Sequence, residues 1–113
     1  MNNMMIYLMI TIGIDYITGV AKSYYKKELS SYIGLKGIVK KVGELSLISF
    51  VYVLDLVMSS NGYIFTSTSI ILIANEGLSI LENLGEMNII VPKFIKKRLE
   101  IIKNEDNENK GKE

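Results

Sequence analysis

Residues 42–92, VGELSLISFVYVLDLVMSSNGYIFTSTSIILIANEGLSILENLGEMNIIVP, run for 51 residues without a Lys or Arg. Basic residues crowd the stretches on either side, Lys22 to Lys41 and Lys93 to Lys112. Such a block belongs in a bilayer, because insertion follows hydrophobicity and orientation follows the Lys/Arg content of short flanking loops. Ser59, Ser60, Asn61 and Gly62 divide it into two apolar runs, 42–58 and 63–84. The basic flanks share the cytoplasmic side, so the block crosses an even number of times, as two helices joined by a compact turn. Tyr63 and Phe65 open the second run at an interface and Pro92 closes the block.

Working outward, residues 4–21 form a further apolar run of about 27 Å as a helix, close to the hydrocarbon thickness. No basic n-region precedes it and no Ala-x-Ala site follows, so the segment is expected to remain on the mature protein with its N-terminus outside. The linker to the second span carries Lys22, Lys26, Lys27, Lys36, Lys40 and Lys41 among Tyr24, Tyr25 and Tyr32. That mixture suits an anionic headgroup layer, with Ser30 or Ser31 as the cap of the next helix. Beyond Pro92, Phe94, Ile95, Leu99, Ile101 and Ile102 alternate with Lys96, Lys97, Arg98 and Glu100, which predicts an amphipathic helix over 93–103. Residues 104–113 are polar and are expected to be disordered. The expected fold class is therefore an all-α membrane protein with three transmembrane helices, N-terminus out and C-terminus in, plus a short C-terminal amphipathic helix.

The chain has 113 residues, room for one domain, and its net charge of +1 says little about partners. It has no Cys and no His, so a disulfide framework, a thiolate metal site and the commonest general base are excluded. No phosphate loop, catalytic triad or nucleic-acid surface is legible, and the Lys clusters are explained by topology. Neither catalysis, a cofactor, a metal nor a nucleic-acid partner is expected; lipid is.

Five carboxylates fall inside or at the ends of the spans: Asp15, Glu44, Asp55, Glu76 and Glu82. A mid-span Asp opposes insertion by about 2.5–3.5 kcal/mol, so these groups are expected to face protein, water or a basic partner. Helical spacing groups Thr11, Asp15, Thr18 and Lys22 on one stripe. Thr68, Asn75, Ser79, Glu82 and Glu86 fall on another, with Glu76 and Asn83 at its edge. Glu44 sits one turn from Lys40 as an interfacial pair, and Asp55 and Glu82 lie near headgroups. Asp15 and Glu76 lie deeper and are candidates for helix association or a watery lumen. Gly13, Gly19, Ala74, Gly77 and Gly85 permit close helix approach. Three short helices satisfy few of these polar groups alone, so self-assembly is expected to supply the missing partners.

Four segments then carry a resemblance: Asp-Tyr-Ile-Thr-Gly at 15–19, Ser-Tyr-Ile-Gly-Leu-Lys-Gly-Ile-Val-Lys-Lys at 31–41, Ala-Asn-Glu-Gly-Leu-Ser-Ile-Leu-Glu-Asn-Leu at 74–84, and Val-Pro-Lys at 91–93. They resemble the phage lysis and toxin-secretion holin family of Gram-positive bacteria, which includes holin-like proteins beside large clostridial toxins. Asn75, Glu76 and residues 79–83 are the most specific part, followed by Gly34, Lys36, Gly37, Lys40 and Lys41. The resemblance makes residues 1–103 a holin-like membrane domain. It implies a protein that accumulates in the bacterial cytoplasmic membrane, forms large homo-oligomers, and opens lesions through which an endolysin or toxin leaves as passive cargo. The family offers no catalytic residues to transfer. Two alternatives share the pattern: an antiholin-like regulator, which would make such a protein a partner, and a small ion-conducting subunit lined by Asp15, Asp55 and Glu76. A soluble bundle fits poorly, since the run Ser69-Ile-Ile-Leu-Ile-Ala74 has no basic residue near it.

Overall fold

A computed structural model describes the backbone of residues 2–111 and the side chains of residues 3–104. It contains four helices in chain order, α1 (Asn2–Tyr25), α2 (Ser31–Val57), α3 (Tyr63–Glu86) and α4 (Lys93–Gly111). Ser30 begins α2 as an N-cap, its hydroxyl accepting from the Ile33 N–H at 3.2 Å. The first three helices end alike. Lys27, Ser59 and Asn88 each adopt a left-handed conformation, at φ 61°, 53° and 64°. The following N–H reaches back five residues, Glu28 to Ser23, Ser60 to Asp55 and Ile89 to Leu84, which satisfies carbonyls that a helix end leaves open.

Two helices, the Asn3–Tyr25 part of α1 and all of α3, are long and apolar enough to cross a membrane. The third expected run, 42–58, is not one of them. That run belongs to a longer helix whose first half carries Lys36, Lys40 and Lys41, and Glu44 and Asp55 add to its charge. Ser31 to Lys41 is helical from the cap expected at Ser30 or Ser31, with Lys and Leu favouring the helix although Gly34 and Gly37 disfavour it. The amphipathic helix starts at Lys93 as expected but runs to Gly111 rather than Lys103, so most of the expected disordered tail is helical. Extending a nucleated helix costs far less than starting one. Residues 112 and 113 lie outside the described residues.

The contacts fix the directions of the helices. Moving up α1, Thr18 meets Asn83 and Lys22 meets Glu86, so α1 and α3 run parallel. Along α2 the order reverses: Gly34 and Gly37 lie against Tyr16, Lys41 against Asp15, and Ile48 and Val51 in the cluster with Leu8 and Phe65. The helix α2 is thus the antiparallel return between two parallel partners. Its inward seam is Gly34, Gly37, Lys41, Glu44, Ile48, Val51 and Asp55, alternating steps of three and four. The opposite face exposes Leu35, Val39, Val42, Phe50, Val53 and Val57. Lys41, Glu44 and Asp55 face inward and apolar surface faces out.

Along the bundle axis the interior has two parts. At the turn end Leu8, Ile12, Ile48, Val51 and Phe65 form an apolar cluster flanked by Met4, Met5, Ile64, Leu72 and Ile73. Tyr52 packs edge-on against Phe65, ring centres 5.5 Å apart. Toward the basic end the interior is polar.

Candidate functional site

The polar half centres on Lys41, which is only 13% exposed. Its ammonium donates to Asp15 Oδ2 at 2.5 Å and to Glu76 Oε2 at 2.7 Å, and lies 3.5 Å from Glu44 Oε1. Each of the three long helices supplies a carboxylate and α2 alone supplies the cation. Glu76 is 1% exposed and Asp15 6%, so both are withdrawn from solvent. The cluster sets one ammonium against three carboxyl groups, and among the described residues no group hydrogen-bonds the buried Glu44 oxygens.

One turn nearer the basic end, the Asn83 amide donates to Asp15 Oδ1 at 3.3 Å and to Thr18 Oγ1 at 3.0 Å. Thr18 in turn donates to the Ile14 carbonyl at 2.8 Å. A Cβ at Gly19 would lie 3.7 Å from the Asn83 amide nitrogen, an ordinary van der Waals contact, so the close approach of α1 and α3 here does not require glycine. A cleft of about 190 Å³ leads from Lys22 and Lys40 down to Asp15 and Lys41, passing Ser79 and Asn83. At the basic rim Glu86 binds Lys26 at 2.9 Å and Lys22 at 3.3 Å, and Asn88 donates to the Tyr25 hydroxyl. The hydrogen bond it donates to Glu86 holds the Lys26 ammonium above the ordinary lysine pKa. Its contribution to the fold is therefore complete below that ordinary value and is lost only as pH climbs through the raised one.

The sequence-derived candidates divide. Asp15, Thr18, Gly19, Glu76, Ser79 and Asn83 come together, with Glu76 and Asn83 at the centre of the inward face of α3 rather than at its edge. Asp55 lies apart at the turn end, where it accepts from the N–H groups of Gly62 at 2.8 Å and Phe65 at 2.9 Å. It caps α3, which Gly62 cannot do with a side chain. Asn75 is half-buried outside the network, and Glu82 is exposed in a groove between α3 and α4. Lys36, Lys97 and Arg98 are exposed, Lys27 borders a surface cleft with Tyr24 and Tyr25, and Lys96 faces the α3–α4 groove.

Three expectations are corrected. Lys41 is an interior residue and not a headgroup anchor, and Glu44 pairs with it instead of Lys40. A single copy also satisfies Asp15 and Glu76 internally, so self-assembly is not needed to partner them. The missed signal was the three–four spacing on α2, which puts Lys41 and Glu44 on the seam shared with Ile48 and Val51.

A helical protein with ions inside, apolar surface outside and two span-length helices is a membrane protein. The chain belongs to the bacteriophage holin family, whose family model matches residues 1–104. It is 36% identical over 107 residues to a probable holin of Bacillus phage phi105, covering 94% of this chain and 79% of that one. The protein YqxH of Bacillus subtilis is 37% identical over 104 residues, 92% of this chain and 74% of the relative. A 14.9 kDa protein in the nagH 3′ region of Clostridium perfringens is 38% identical over 101 residues, 88% and 76% of the two chains. No solved structure matches significantly.

Proposed function

We propose that the protein is a holin of the bacterial cytoplasmic membrane: it crosses the bilayer, accumulates, self-assembles without catalysing a reaction, and opens lesions that release a cell-wall hydrolase or toxin. The observation that carries this reading is the Lys41 cluster, an ion network at mid-height in a bundle whose outer surface is apolar. Such a bundle is stable in lipid while closed and has polar faces ready to meet water when it opens.

The same geometry supports three crossings. Parallel α1 and α3 cannot both traverse the bilayer in one direction unless the chain between them returns, and α2 is that return. Its Lys41, Glu44 and Asp55, mostly withdrawn from the surface, face away from lipid. The N-terminus and the 59–62 turn then face outward without a Lys or Arg, and the basic ends face the cytoplasm.

Opening requires the Lys41 ties to α1 and α3 to part, after which ammonium and carboxylates are solvated by the widening aqueous lumen. The test is induced expression in cells carrying a cytoplasmic reporter enzyme and supplied with an external wall hydrolase. Abrupt depolarisation after a delay, with release of folded reporter, is expected. Depolarisation alone would replace this reading with an ion-conducting subunit, and no effect would replace it with an antiholin-like regulator.

A further inference from the structure

The cleft above Asp15 and Lys41 is walled by α1, α2 and α3 and holds about 190 Å³. Pockets for drug-sized ligands take about 300–1,000 Å³, so this one has room for a compact polar head and little more. Lys22 and Lys40 stand over it, and Ser23 and Ser79 bring hydroxyls to its wall. Ser23 is 4% exposed, so its hydroxyl belongs to the cleft and not to the outer surface. The cations are not equivalent. Lys22 is bound to Glu86, and Lys41 to Asp15 and Glu76, whereas Lys40 forms no ion pair among the described residues.

On the three crossings proposed above, the mouth of this cleft faces the cytoplasmic leaflet. Helix α2 has 27 residues and is about 40 Å long, so centred on a hydrocarbon layer of about 30 Å it projects about 5 Å at each end. Lys40 lies nine residues after Ser31, the first of α2, or about 14 Å along the axis, which puts its backbone about 9 Å below the boundary. An ammonium left among acyl chains at that depth is disfavoured. The lysine stem can lift the charge through the cleft toward the surface, and an anion drawn down to meet it removes the cost. Asp15 beneath is already held by Lys41 and Asn83, so an incoming anion meets ammonium first.

Val20 on α1 and Ile33 on α2 line the same cleft. Its entry is thus amphipathic, with a cation and hydroxyls for a polar head and apolar side chains where attached acyl carbons would lie. A free phosphate would leave those apolar walls unused. We propose that the cleft between α1 and α2 seats the head of an anionic glycerophospholipid of the cytoplasmic leaflet, its phosphate on Lys40 and its glycerol hydroxyls toward Ser23 and Ser79. Helices α1 and α2 otherwise meet chiefly through α3, so an occupied seat ties them together and stabilises the closed bundle. The inference rests on the three-crossing reading and adds a ligand to it.

The test is native mass spectrometry of the full chain in a neutral detergent, titrated with short-chain phosphatidylglycerol or phosphatidylcholine. One phosphatidylglycerol retained per chain, in preference to phosphatidylcholine, is expected. Lys40→Gln should weaken that retention about tenfold, the loss of one charge-assisted hydrogen bond. Lys40→Arg, and Lys97→Gln at an exposed cation outside the cleft, should leave it near the parent value. Helicity by circular dichroism checks that each variant is folded. Equal retention of the two lipids, or equal loss in Lys40→Gln and Lys97→Gln, would overturn the proposal, since diffuse surface charge gives that pattern. Glycerol phosphate separates the two sources of the same chemistry: competition by the free compound as strong as by the lipid would replace the lipid with a soluble anion. Reporter release by unmodified protein is scored separately. Release without selective retention sinks the seat alone, whereas retention without release sinks the holin reading alone.

Discussion

The two halves of the bundle interior use opposite means of cohesion, and a bilayer treats them differently. Around Phe65 and Leu8 the helices meet through apolar packing, for which lipid tails are nearly as good a partner as a neighbouring helix. Around Lys41 they meet through charged hydrogen bonds that hydrocarbon cannot replace. In water the apolar half would dominate stability; in lipid the polar half should. The bundle is therefore pinned toward its basic end and comparatively free to splay at the turn end.

Lys41→Met attacks that contrast most directly, since it strands three carboxyl groups among helices. A loss of about 3–5 kcal/mol is expected, read from thermal unfolding in micelles by circular dichroism. Adding Asp15→Asn and Glu76→Gln should return much of it, and a single variant as stable as the parent would show that the cluster does not pin the bundle. Asp55→Ala comes next. It orphans the N–H groups of Gly62 and Phe65 at about 1–3 kcal/mol each, and faster hydrogen exchange confined to the start of α3 is the expected signature. Phe65→Ala, a change worth about 3–5 kcal/mol in a water-soluble core, should cost only about 1–2 kcal/mol here if lipid fills the gap. A cost above that of Lys41→Met would invert the comparison. Lys27→Gly should stabilise by about 1 kcal/mol, because only the left-handed backbone at the end of α1 is relieved; a lower melting point would reveal a contact made by the Lys27 side chain.

The outline of this architecture was readable from residue order. The breaks at 59–62, the start of the third run at Tyr63 and the amphipathic start at Lys93 coincide with helix limits, because turn residues and Pro92 mark them locally. Asp15 and Glu76 stood out because an acid deep in an apolar run has few places to point. Lys41 did not stand out. It ends a cluster of lysines whose bulk property, positive charge beside a span, matches a headgroup anchor, and only its partners on α1 and α3 reveal its inward direction. The role of Asp55 was hidden for a similar reason: a carboxylate near a span end looks solvated unless the chain is known to fold back on it. The apolar run of α2 reads as starting at Val42 because Lys36, Lys40 and Lys41 mark a basic linker by composition, whereas Gly34, Gly37 and Lys41 share the inward seam of the same helix.

The Asp55 contact carries a consequence for how the chain enters lipid. A helix arriving in hydrocarbon exposes the bare amides of its first turn, and two of those of α3 are already bound by a carboxylate from the preceding helix. On the three crossings proposed above, α2 and α3 would meet the membrane as one hairpin whose leading tip the Asp55 carboxylate has electrically and sterically closed. On that reading entry has two steps, α1 alone and then the hairpin, and the Lys41 contacts to Asp15 and Glu76 close only after both.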